Sequence, residues 1–175
     1  MTVRCELNIN GGDRRVLLVA KEEETVEHVA LRLAAAILFF DREPALEAGP
    51  AHPAVVDVGF YPDLLVTDEA GGIAVWIECG NVAVNKLTKV ARRMRGARLV
   101  VLKESPEDGR RFREVIKKEI PKGEKIEVWA WPKDEFARWV GALKESSHVF
   151  GEASGKSLNL VLNEVPFDVQ LISCD

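Results

Sequence analysis

Beyond position 72 the chain alternates short apolar, β-branched runs with segments of helical period, and that alternation admits few folds. GIAVWIE is followed by a basic helical stretch near 83–95, ARLVVL by a helix over 107–120, and KIEVWAW by the helical run KDEFARWVGALKE. Strands separated by helices pair in parallel, because the crossover returns the chain to the edge it left. Upstream, AVVDVGF, DLLVTD and GIAVWIE are separated only by Tyr-Pro and DEAGG. Such short links predict an antiparallel meander of three strands over 54–78. The sheet these segments share is therefore mixed, with helices on both faces.

The segment TVEHVALRLAAAILFF carries apolar side chains at 26, 29, 30, 33, 37 and 40, which is helical spacing over 25–40. Thr25 is a suitable N-cap, with Glu27 and His28 in the first turn. Its apolar stretch, VALRLAAAILFF, contains Arg32 and is too short to cross a bilayer. VRCELNINGGDRRVLLVAKE turns around Gly11-Gly12-Asp13 and reads as a β-hairpin, and KSLNLVLNEVPFDVQLI as a second one. REPALEAGPAHP reads as a loop. The expected fold is α/β: one domain over 1–175, a mixed central sheet flanked by helices within 25–145, and hairpins at 1–20 and 156–173. The two hairpins are expected to pair into an extra antiparallel layer. Cys5, Cys79 and Cys174 are odd in number and far apart, which argues against a disulfide framework or a zinc site. The polar N-terminus shows no secretory signal. Together these features predict a cytoplasmic protein with no membrane association.

The formal net charge is −4, yet charge is segregated. From Cys79 to Lys103 there is no acidic residue, while Lys86, Lys89, Arg92, Arg93, Arg95, Arg98 and Lys103 are all basic. On a helix, 86, 89 and 93 share one face that could meet a phosphate backbone; taken alone, such a run is also an ordinary solvated face. Just before it, Asp63 heads one predicted strand and Glu78 ends the next. A tight return through DEAGG sets the start of one strand beside the end of the other, so the two carboxylates converge. Adjacent carboxylates repel, and need a cation or a shared proton. Paired oxygen donors with open positions suit Mg²⁺ or Mn²⁺. Separately, Pro62-Asp63 also suits a turn and Glu78 a strand end.

This order of parts resembles the PD-(D/E)XK nuclease-like superfamily, with its restriction endonuclease-like α-β-β-β-α-β core. The matching parts are Pro62-Asp63 and Glu78-Cys79-Gly80, with Gly80 where that motif has lysine. More narrowly, the sequence resembles the YaeQ family of small bacterial proteins. The likeness rests on ETVEHVALRLAAAILF, GGIAVWIECG, NKLTKVAR and IEVWAWPKDEFARWV, together with both terminal hairpins. The resemblance implies Asp63 and Glu78 as metal ligands, with the Cys79 carbonyl as a further donor. It implies Lys89 as the displaced lysine, with Lys86 as the substitute, and Glu27 as a supporting acid. The implied activity is Mg²⁺- or Mn²⁺-dependent hydrolysis of nucleic-acid phosphodiesters, with substrate along Lys86, Arg92 and Arg93 on the basic helix 83–95. The alternative is a non-catalytic module on the same fold that binds nucleic acid or protein through that helix; a third is a scaffold that associates through the paired hairpins. His28 reads as a polar-face histidine, Asp57 as an outward residue, Cys79 as space-filling, and the tryptophans as helix-to-sheet packing.

Overall fold

The computed structural model describes residues 1–175. The chain opens with strands β1 (Thr2–Ile9) and β2 (Gly12–Val19), joined through Asn10 and Gly11, both with positive φ. An Asn-Gly pair suits the turn type that matches strand twist. Helix α1 (Val26–Leu38) follows, then the two-residue strand β3 (Ala45–Leu46), β4 (Leu64–Thr67) and β5 (Ile73–Cys79). Helix α2 (Val84–Arg93), β6 (Arg98–Lys103), α3 (Pro106–Glu119), β7 (Glu127–Ala130) and α4 (Glu135–Ala142) complete the alternating half. The chain closes with β8 (Ser146–Ser154), β9 (Ser157–Leu162), β10 (Val165–Gln170) and β11 (Ile172–Ser173).

Two mixed sheets result, of order β10-β9-β8-β1-β2 and β11-β7-β6-β5-β4-β3. In the six-stranded sheet β5, β6 and β7 are parallel, while β3, β4 and β11 run antiparallel to their neighbours. Helix α1 lies between the sheets and touches both. A helix enclosed on every side has no use for a polar stripe, which is why all ten residues from Val29 to Leu38 are buried. Strand alternation then divides the interior. Leu64, Val66, Val75, Ile77 and Cys79 face α1, whereas Leu65 and Trp76 face α2 and α3 on the other side. The indole of Trp139 on α4 donates to the Ala30 carbonyl at 2.9 Å, tying α4 to the central helix. No helix is long and apolar enough to cross a membrane.

Two expectations are corrected. Residues 54–60 form no strand: successive turn hydrogen bonds run from Val55 to His52 and from Val58 to Val55. Those bonds use the amides a strand would have offered, and Val55 alone is fully buried, in the outer core. The third antiparallel strand of the meander is β3, inside the expected loop. The second correction concerns the outer layer. The terminal hairpins do not pair with each other; β8 stands between them and runs parallel to β1, so the layer is mixed. Strand β8 carries little apolar alternation because its inward positions are Ser147, Val149, Gly151 and Ala153. Glycine is required at 151, where φ is +144° and a Cβ would lie 2.4 Å from the Asn159 carbonyl oxygen.

One charged side chain is buried in the central helix. Arg32 is 0% exposed. It donates through Nη2 to the Glu24 carboxylate at 2.9 Å and to the Val19 carbonyl at 3.0 Å, and pairs through Nη1 with Glu47. Removing a buried guanidinium leaves the carboxylate packed against it, here the largely covered Glu24, without its counterion. Arg32→Met should therefore cost about 3 kcal/mol of stability in urea unfolding, part of it recovered by adding Glu24→Gln; a loss below about 1 kcal/mol would show that the cluster contributes no more than a surface pair.

Candidate functional site

Asp63 and Glu78 come together where β4 begins and β5 ends. The Asp63 amide donates to the Ile77 carbonyl at 3.1 Å, continuing the β4–β5 ladder one residue beyond the strand. Its side chain then turns across the ladder end, and Oδ2 accepts the Cys79 amide at 2.8 Å. Glu78 shares a strand face with Trp76 two residues earlier, and its Oε1 accepts the Trp76 indole N–H at 2.9 Å. Lys86, in the first turn of α2, donates to the same Oε1 at 2.7 Å and to the Tyr61 carbonyl at 2.8 Å. Glu78 is only 4% exposed.

His28 reaches the pair from α1. Thr25 caps that helix by accepting the His28 amide at 3.3 Å, and this places the imidazole on the open end of the first turn. His28 Nδ1 lies 2.6 Å from Glu24 Oε1, and Nε2 lies 3.2 Å from Asp63 Oδ1. The second approach is an ion-pair contact whose angle misses a well-aligned hydrogen bond. Glu24 in turn holds Arg32, so acidic and basic side chains alternate along one row, Glu47, Arg32, Glu24, His28 and Asp63, with Arg32 its buried member. A cleft of about 710 Å³ opens over this row, lined by Glu24, His28, Glu47, Tyr61, Asp63 and Lys86.

These neighbours separate the two carboxylates electrostatically. Burial pushes the Asp63 carboxyl up, but His28, the Cys79 amide and Lys86 outweigh it, and the group lies below its ordinary value. Burial dominates at Glu78 and holds that carboxyl above its ordinary value against the Lys86 ammonium. Burial, then the charges of Asp63 and Glu78, push the Cys79 thiol well up, so it remains a neutral filler of the core. Contact with Asp63 raises His28 above its ordinary value, with partial burial opposing.

The remaining expected residues fall elsewhere. Lys89 is exposed and sits 5.5 Å from the Phe60 ring centroid; it is Lys86, one turn earlier, that meets Glu78. Arg93 donates to the Val58 carbonyl at 2.7 Å beside the same phenyl ring. Arg92 is exposed and lines a different groove, with Met94 and Ile120. Glu27 is half-buried and lies near enough to Glu104 for its charge to help raise that carboxyl, after burial. No three His, Cys, Asp or Glu side chains converge closely enough to enclose a metal ion. Asp63 and Glu78 are nonetheless hard oxygen donors of the kind Mg²⁺ accepts one or two at a time while keeping its waters. On donor chemistry, the pair fits such a cation.

Lys103 is a basic residue whose position the sequence did not disclose. In the parallel register Cys79 pairs with Leu102, which sets Lys103 beside Gly80. Its ammonium donates to the Gly80 carbonyl at 2.7 Å and lies 4.1 Å from the Phe112 ring centroid. Burial lowers its pKa. Gly80 has φ +75°, which L side chains rarely adopt, although a Cβ would meet only Leu31 at an ordinary 3.6 Å. Backbone shape rather than space therefore disfavours lysine at 80. Cations come instead from α2 and from the neighbouring strand.

The chain matches the family described as YaeQ protein over residues 8–169, and it belongs to that family. No curated protein matches it. The fold is similar to that of the YaeQ protein from Xanthomonas axonopodis pv. citri, with a TM-score of 0.75, 17% identity, and coverage of 98% of this chain and 96% of that one. It is also similar to the YaeQ protein from Pseudomonas syringae, with a TM-score of 0.72, 20% identity, and coverage of 99% and 95%. These likenesses establish the shared fold.

The His28 contact has a consequence for stability against pH. A histidine whose folded pKa is raised contributes its full stabilisation below the unfolded value of about 6.5, and loses it as pH rises through the folded value. His28→Gln should therefore destabilise the protein more at about pH 6 than at about pH 9. Chemical denaturation at the two pH values checks this, and an equal loss at both would contradict it.

Proposed function

We propose that this YaeQ-family chain is a Mg²⁺- or Mn²⁺-dependent phosphodiesterase acting on nucleic acid, with Asp63 and Glu78 as the metal-holding pair. The observation that carries the reading is the convergence of these carboxylates, one pinned by the Cys79 amide and the other by Trp76, with the Lys86 ammonium 2.7 Å from Glu78. The order α1, β3, β4, β5, α2, β6 supports likening the core to the α-β-β-β-α-β arrangement of PD-(D/E)XK nucleases. A divalent cation held there would lower the pKa of a bound water and offset charge gathering on a phosphate.

The chain's own residues do the rest. The Cys79 amide and His28 hold the Asp63 carboxylate in one orientation, and an oriented donor set needs little reorganisation during reaction. Lys86 takes the part of the displaced lysine, because its ammonium already sits at the carboxylate pair and can turn from Glu78 to an anionic substrate oxygen. Lys89 and Arg93, near Phe60, extend the positive face along which a strand would lie.

A second reading has its own observation. His28 and Lys86 already lie against the two carboxylates, at 3.2 Å from Asp63 and 2.7 Å from Glu78, and no group of three His, Cys, Asp or Glu side chains could hold a metal ion. A module that binds nucleic acid or protein without chemistry would look the same at this site. Calorimetry and cleavage separate the two. On the catalytic reading Mn²⁺ binds the wild type; Asp63→Asn and Glu78→Gln each lower its affinity at least about tenfold, and Lys86→Met lowers cleavage of a labelled oligonucleotide about 10²–10³-fold without loss of metal affinity. Metal affinity unchanged in both carboxamide variants, with no cleavage by the wild type, would establish the binding module instead.

A further inference from the structure

At the opposite end of the parallel strands from Asp63 and Glu78, the end of α2, the start of β6 and the α3–β7 connection enclose a groove of about 430 Å³. Its floor is aliphatic: Leu99, Ile120 and Ile126 are buried there, with Met94 half-buried beside them. Its rim carries Arg92, Arg95, Lys122 and Lys125, all exposed. No Asp or Glu lines the groove. None of the four rim cations is in an ion pair, whereas nearby Arg98 is held by Glu127 at 2.9 Å. Four unpaired positive charges around one depression are unexpected in a protein of net charge −4.

The groove is also preformed. Arg113, only 4% exposed, donates to the carbonyls of Gly123 at 3.0 Å and of Ile126 and Cys174 at 2.6 Å each. It thereby fixes the turn that presents Lys122 and Lys125, and that turn closes on itself through the Lys125 amide and the Lys122 carbonyl at 3.0 Å. A rim held in place before binding does not have to be ordered when a ligand arrives.

We infer that this groove docks an acidic, amphipathic peptide segment of a partner protein, with an aliphatic side chain on Leu99, Ile120 and Ile126 and flanking carboxylates on Arg92, Arg95, Lys122 and Lys125. Charge complementarity selects an anionic occupant, and the aliphatic floor selects one with an apolar side chain to bury. The lining holds no aromatic ring on which a nucleobase could stack. The site is separate from the Asp63–Glu78 pair and does not depend on any activity there.

Fluorescence anisotropy with a labelled nine-residue peptide of alternating Glu and Leu tests the inference. The wild type should bind it saturably, and the double variant Arg92→Glu with Lys122→Glu should bind at least about tenfold more weakly. A charge-matched Glu/Ser peptide should bind several-fold more weakly than the Glu/Leu peptide. Asp63→Asn should leave binding unchanged, which keeps this result apart from the fate of the proposed activity. Both rim residues are exposed, and an unchanged thermal midpoint in the double variant confirms that its fold is retained. The inference is overturned by any of four outcomes: no saturable binding up to about 1 mM, equal binding of the Glu/Ser peptide, peptide affinity unaffected by the double reversal, or tighter binding of an equally charged oligothymidylate that is lost in the same double variant.

Discussion

A helix with no solvent face governs this structure. Because α1 is enclosed between the two sheets, its ten residues from Val29 to Leu38 are all buried, and the guanidinium of Arg32 needs partners that reach in to it. It finds them in Glu24, before the helix, and Glu47, after it. Glu24 shares its carboxylate between Arg32 and His28, and His28 touches Asp63. The arrangement that makes a buried arginine tolerable is thus continuous with the one that orients the first carboxylate of the candidate site. Few changes in this row can be local, since each charge is the counterion of the next.

Periodicity made much of this legible. The capped start of α1, the alternating half beyond Gly72 and both hairpins follow from spacing of apolar residues and from turn chemistry, and they appear close to where the sequence places them. The meeting of Asp63 with Glu78 followed from chain geometry alone, because a tight return leaves the ends of two strands nowhere else to go. What escaped depended on tertiary choices. The β-branched run at 54–60 lost its strand to consecutive turns, and β8 was hidden because three of its inward positions are Ser147, Gly151 and Ala153. Propensity is a weak guide when backbone amides have other partners.

The cations were the least legible part. Lys86, Lys89 and Arg93 share a helical face, but only packing decides which of them points at Glu78 and which at Phe60. Lys103 reaches Gly80 through the β5–β6 register, which nothing in either strand's composition reveals. Gly80 itself explains why the cations arrive from outside the strand, since its positive φ resists any side chain. Charge segregation in the sequence therefore resolves into two places. One is the compensated site at the C-terminal end of β5; the other is the uncompensated groove at the far end of the sheet.

The divalent cation proposed for Asp63 and Glu78 would have to compete with the Lys86 ammonium, which lies 2.7 Å from Glu78. Anomalous diffraction from crystals soaked in Mn²⁺ measures this most directly. A single strong peak bonded to a carboxylate oxygen of each residue is expected, with the Lys86 ammonium withdrawn from Glu78. A peak only at other acids, such as Glu104 and Asp108, or an undisturbed Lys86–Glu78 pair with no peak beside it, would contradict it.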